Sequence, residues 1–110
     1  MEVSEEVKSL ISEFQSYQQQ LQSILIQKES LQIQQIEIEK ALEVLGKIEE
    51  KEVFKIYGNV MVKEEKEKVF KELEENKEDI EVKLKSLEKM EERVSLKLKD
   101  IQEKIRGSIK

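Results

Sequence analysis

Positions 3, 7, 10, 14, 17, 21, 24, 28, 31, 35, 38, 42 and 45 step by alternating fours and threes, and eleven of the thirteen are apolar or aromatic. A period held at 3.5 residues over such a stretch is buried only along a seam against another helix. A second seam runs through Phe70, Leu73, Lys77, Ile80, Leu84, Leu87, Glu91, Val94, Leu98, Ile101 and Ile105, with nine of eleven apolar. The chain has 110 residues, 41 % of them charged and 37 % hydrophobic, and no Pro to interrupt either helix. These features predict a mainly α chain, one domain over 1–110 without a rounded core. Ser4 is the expected N-cap of the first helix, with Glu5 and Glu6 in its first turn, and Gly107 the expected C-cap of the second.

Between the seams the period changes. Val53-Phe54-Lys55-Ile56-Tyr57 and Val60-Met61-Val62-Lys63 are β-branched and aromatic runs around Gly58-Asn59, a two-residue hairpin turn that needs positive φ. The expected order is helix 1 over about 4–48, hairpin over about 53–63 and helix 2 over about 65–107. Each helix, of about 40 to 45 residues, would reach about 60 to 65 Å. Because the hairpin reverses the chain, the helices are expected to form a long antiparallel two-helix coiled coil.

Antiparallel packing sets a against d across the seam, and layers whose residue numbers sum to 115 satisfy this throughout. Examples are Leu45 with Phe70, Leu42 with Leu73, Leu31 with Leu84, Leu21 with Val94, Phe14 with Ile101 and Leu10 with Ile105. In that register Lys28, Gln35, Lys77 and Glu91 occupy a positions, each opposite an apolar d residue, and Lys28 and Glu91 lie in neighbouring layers where they can pair. Polar a residues fix register and orientation; they also weaken the middle of the coil relative to the apolar layers from Tyr17 and Leu98 outward.

Several functions are excluded by inventory. Without His or Cys the usual zinc, haem, iron–sulfur, Cys-nucleophile and Ser-His-Asp sites have no ligands or nucleophiles to draw on. Gly46, Gly58 and Gly107 are too scattered for a phosphate loop. No enzyme activity, metal or cofactor is therefore expected. A net charge of −5 disfavours nucleic acid, which needs a basic face. No run approaches the ~20 apolar residues of a membrane span, and no signal peptide opens the chain; a cytoplasmic location is expected.

Two surfaces remain as candidates for binding. A lone two-stranded hairpin is marginal in water, and this one is apolar on both faces, with Phe54 and Ile56 on one and Val53 and Tyr57 on the other. Its edges invite pairing with other chains, so intersubunit sheet or barrel formation is preferred over a loop capping the coil. Near the termini, Val3, Val7, Leu10, Ile11, Phe14, Ile101, Ile105 and Ile109 either zip the coil shut or, where the end turns fray, form an apolar groove. Ile26, Ile33, Val82 and Leu96 fall at outward f positions, either as scattered surface residues or as a further partner surface. Phe14 to Ile36 holds nine Gln and only Lys28 and Glu29 as charges, whereas the second helix is dense in Glu and Lys, with Glu67–Lys71 and Glu81–Lys85 at the favourable i, i+4 spacing.

Tyr17-Gln18-Gln19-Gln20-Leu21-Gln22, Val53 to Lys63 as a block, Lys66-Glu67-Lys68 and Glu72-Leu73 together resemble the β subunit of archaeal prefoldin, along nearly the whole chain. The hairpin pattern is the most specific of these. Many relatives carry Pro and Asp just before it, where this chain has Glu49-Glu50-Lys51-Glu52; the endpoint of helix 1 is the feature this departure affects. The resemblance implies an α2β4 hexamer of two prefoldin α and four β subunits, whose hairpins form an intersubunit β-barrel. It implies an ATP-independent chaperone that holds unfolded protein clients at the coil tips and passes them to a group II chaperonin. Carried over, Val53, Phe54, Ile56, Tyr57, Val60, Met61 and Val62 are oligomerisation contacts, and the eight terminal apolar residues named above are client contacts. One hairpin between the helices is similar to the β class rather than the α class, which has two. The competing expectation is a structural or tethering coiled-coil module that oligomerises through its hairpin and binds one dedicated partner.

Overall fold

Ser4 opens the first helix as a cap. Its hydroxyl accepts the Val7 amide hydrogen at 3.2 Å and its carbonyl that of Lys8 at 3.0 Å, which satisfies donors that a helix start otherwise leaves free. The computed structural model describes residues 3–108. Helix α1 runs Glu5–Lys47, strand β1 Glu52–Tyr57, strand β2 Val60–Glu65 and helix α2 Lys66–Ser108. Two long helices joined by one antiparallel hairpin are the fold the periodicities call for.

Two compact units divide this order, Met1–Ser30 with Leu84–Lys110 (the terminal unit) and Leu31–Lys83 (the hairpin unit). In the terminal unit the buried side chains are Val7, Ile24, Leu84, Leu87, Val94 and Ile101, all at seam positions. Leu10, Phe14, Tyr17, Leu21, Leu98 and Ile105 are half-buried beside them. Lys28 and Glu91 meet at 2.6 Å, the contact that antiparallel neighbouring layers allow. In the hairpin unit Leu45 and Ile80 are buried. Leu45 and Phe70, one of the expected layers, line the same depression.

Strand pairing runs from Glu52↔Glu65 to Tyr57↔Val60. The second strand and the second helix meet without a linker, so β2 extends two residues past the expected 63. Glu64 and Glu65 look like helix residues by composition, but their backbones pair with Val53 and Glu52. Gly58 has φ 59°, and no non-glycine residue has positive φ among those described. The turn thus takes positive φ only at its first central residue, the type II′ arrangement, rather than at both. Gly107 does not end α2 in a left-handed cap as expected; the helix continues to Ser108, whose hydroxyl donates to the Lys104 carbonyl at 2.8 Å.

Surface ion pairs that close along the helices are Glu5–Lys8 at 3.6 Å, Glu43–Lys47 at 2.9 Å and Asp100–Lys104 at 3.3 Å. Glu67–Lys71 and Glu81–Lys85 have the right spacing, but neither forms an ion pair among the described residues. Exposed pairs of this kind contribute little, so the seam decides the packing.

Candidate functional site

The hairpin carries the largest departure from ordinary burial. On one face Phe54 pairs with Lys63 and Ile56 with Met61, and Phe54, Ile56 and Met61 are 63 %, 68 % and 63 % exposed. The other face holds Val53, Lys55, Tyr57, Val60, Val62 and Glu64, because side chains alternate along a strand and cross-strand partners share a face. There Val53, Lys55 and Glu64 are half-buried, while Tyr57, Val60 and Val62 remain exposed. Among the described residues the sheet has two strands, in the order β1-β2, so both carry an open edge of unpaired backbone groups.

A small polar set ties this hairpin down. Lys55 Nζ donates to Glu72 Oε2 at 2.9 Å and lies 5.1 Å from the centroid of the Tyr57 ring. Tyr57 donates its hydroxyl to Glu64 at 3.1 Å. At the base, the Lys66 amide donates to the Lys51 carbonyl and its Nζ to the Ile48 carbonyl, each at 2.8 Å. That ammonium therefore satisfies a carbonyl just beyond the end of α1, where the helix leaves acceptors free. On the outward face Lys63 meets Glu52 at 3.3 Å, which offsets the like charges of the Glu52↔Glu65 pair.

The hydrogen bond from Lys55 holds the Glu72 carboxyl below its ordinary value, against desolvation and with added attraction from Lys55 and Lys68. The same bond raises the Lys55 ammonium above its ordinary value, against desolvation. Glu72 thus contributes stability that is full above the unfolded value of 4.5 and is lost as pH falls through the lower folded value. Lys55 contributes stability that is full below 10.5 and is lost as pH rises through the higher folded value. Glu72→Gln is expected to lower the melting temperature slightly at neutral pH and to converge on wild type in acid, followed by circular dichroism. An equal gap at both pH values would refute the pairing.

The polar seam residues occupy both units. Lys28, with its side chain 18 % exposed, has its ammonium raised above the ordinary lysine value by the hydrogen bond to Glu91, against desolvation and with further attraction from Glu91 and Glu88. Lys77 lies 3.9 Å from Glu39, and Gln35 is half-buried.

The terminal residues are unevenly exposed. Val7 and Ile101 are 5 % and 4 % exposed, Leu10, Phe14 and Ile105 are half-buried, and Val3 and Ile11 are exposed. Ile109 lies outside the described residues. Ile26, Ile33, Val82 and Leu96 are exposed, together with Leu25, Ile36 and Val44. Periodicity does not reveal the roles of Lys55, Glu72 and Lys66 in docking the hairpin; the one signal was a lone Lys inside an apolar strand. No cluster of three or more metal-ligating side chains occurs among the described residues, and no helix of theirs is long and apolar enough to cross a membrane.

The model of the family "Prefoldin subunit" matches residues 8–110. Prefoldin subunit beta of Archaeoglobus fulgidus is 41 % identical over 78 residues, 70 % of this chain and 67 % of that protein. That of Thermococcus onnurineus is 38 % identical over 74 residues, 66 % of this chain and 64 % of that protein; the aligned stretch thus spans about two-thirds of these relatives. The crystal structure of the prefoldin beta subunit from Thermococcus strain KS-1 superposes with a TM-score of 0.87 at 33 % identity, covering 99 % of this chain and 96 % of that one.

Proposed function

The chain belongs to the prefoldin subunit family, a family of chaperone subunits, and from that premise we propose that it works as an ATP-independent holdase subunit. It assembles through its hairpin with prefoldin α subunits and further β subunits into an α2β4 hexamer in the cytoplasm, holds non-native chains at its terminal apolar layers and passes them to a group II chaperonin. The hairpin residues Val53, Phe54, Ile56, Tyr57, Val60, Met61 and Val62 are its assembly contacts, completing an intersubunit barrel. Val3, Val7, Leu10, Ile11, Phe14, Ile101, Ile105 and Ile109 are its client contacts, and the polar seam residues Lys28, Gln35, Lys77 and Glu91 hold the register.

The observation that carries this reading is the exposed apolar hairpin with two open edges. Such a strand pair gains stability by adding strands and covering its apolar faces, so it favours a multisubunit body. Several coil ends presented by one body bind a client with an avidity beyond that of a single end, through effective concentration. Assembled with an α-type subunit, the chain should suppress aggregation of several unrelated unfolded proteins without nucleotide, measured by light scattering. Protection of only one protein would instead indicate a dedicated tether.

A further inference from the structure

The terminal unit contains a shallow depression of about 230 Å³ lined by Tyr17, Gln20, Met90, Arg93, Val94 and Lys97. Buried Val94 forms its floor, and half-buried Tyr17 and exposed Met90 form its apolar walls. That volume is below the roughly 300–1,000 Å³ of small-molecule sites, and it suits one large side chain. Met is the side chain best able to adapt to varied shapes.

Charge is distributed unevenly around this depression. Its lining has two cations and no carboxylate, on a chain with a net charge of −5. Neither Arg93 nor Lys97 forms an ion pair among the described residues, whereas nearby Asp100 is already engaged by Lys104 at 3.3 Å. The facing stretch of α1, Phe14 to Gln27, contains no charged residue. A second depression of the same unit is lined by Glu88, Glu91 and Glu92 with Lys28. Met90 and Lys97 fall at heptad g and Glu88 at e, positions that flank a seam on opposite sides. At the level of these two depressions, the edge of the terminal unit that bears the apolar socket is therefore basic and the opposite edge is acidic.

We propose that the basic edge binds an extended non-native polypeptide segment, its socket taking one aromatic or large aliphatic side chain while Arg93 and Lys97 pair with an Asp or Glu beside that side chain. This inference rests on the reading of the chain as a holder of non-native proteins, and it names a client chemistry that apolar tips alone do not select. Acid-flanked apolar segments are drawn to this edge, and base-flanked ones are repelled from it.

Fluorescence anisotropy on the assembled protein at low salt tests it with two labelled Gly/Ser peptides, one carrying Glu-Phe-Glu and the other Lys-Phe-Lys. The acidic peptide is expected to bind about tenfold more tightly, with the preference shrinking as salt screens it. The R93E/K97E double variant should reverse the preference, and R93Q/K97Q should abolish it. Tyr17→Ala with Met90→Ala should weaken both peptides. Equal binding of the two peptides by the wild type, or an unchanged preference in R93E/K97E, overturns the proposal. Aggregation suppression is measured separately: a wild type that suppresses aggregation but binds neither peptide refutes the groove alone, and a wild type that suppresses nothing refutes the holdase reading.

Discussion

With Phe54 and Ile56 both replaced by Asp, the assembly is expected to fall apart into its component chains, with helix content unchanged. Both side chains lie mostly in solvent within the single chain, so the substitutions remove no contact on which either helix depends. In the proposed hexamer the same positions would become covered. Burying a large apolar side chain is worth about 1.5–3 kcal/mol, and that gain is lost twice per subunit. Two carboxylates must then be buried without partners, which costs more still. Since about 1.4 kcal/mol changes an association constant tenfold, the combined loss moves assembly beyond micromolar working concentrations. Native mass spectrometry and light scattering read the outcome directly, and an unchanged mass would remove the hairpin from the assembly role. Val53 and Lys55, half-buried against the rest of the hairpin unit, are poorer positions for this test because their replacement also disturbs docking.

Removing about the first ten and the last ten residues should have the opposite profile, with assembly intact and aggregation suppression abolished. The terminal layers are apolar but not open in the structure, since Val7 and Ile101 are among the best-covered residues of the chain. Only Val3 and Ile11 of the described terminal set are exposed. On the proposed reading, holding a client therefore requires these layers to part. Helix ends are where that is easiest, because their backbone groups lack helical partners and local opening there costs least. Truncation removes Val3, Val7, Leu10, Ile101, Ile105 and Ile109 together, and an avidity that depends on several ends is lost with them. Full activity in the truncated protein, with its mass per assembly preserved, would refute binding at the ends.

Much of this was legible in the residue pattern. Alternating fours and threes identify both helices, and the observed ends of α1 fall one residue inside the expected ones. The pairing of Lys28 with Glu91 follows from register alone, because opposed heptads leave few places for two polar a residues to reach. What periodicity does not encode is how a strand pair leans on a helix. Lys55 and Glu72 lie seventeen residues apart, in elements of different period, and nothing in either pattern marks them as partners. Glu65 misled for a related reason: an acidic residue before a helix looks like part of its first turn, yet backbone pairing with Glu52 keeps it in the strand. Gly107 satisfies the composition of a cap, but the helix continues through it.

The direct junction of β2 and α2 bears on how such a chain is able to change over evolution. With Glu65 the last residue of the strand and Lys66 the first of the helix, one inserted residue would turn everything after it by about 100° around the helix axis. Every a and d side chain of α2 would then leave the seam at once. Whole heptads added to both helices keep the apolar stripe in phase. Length variation among relatives should therefore come in matched sevens within the helices, while the spacing from Gly58 to Phe70 stays constant: the junction acts as the zero mark of the ruler along which α2 is read.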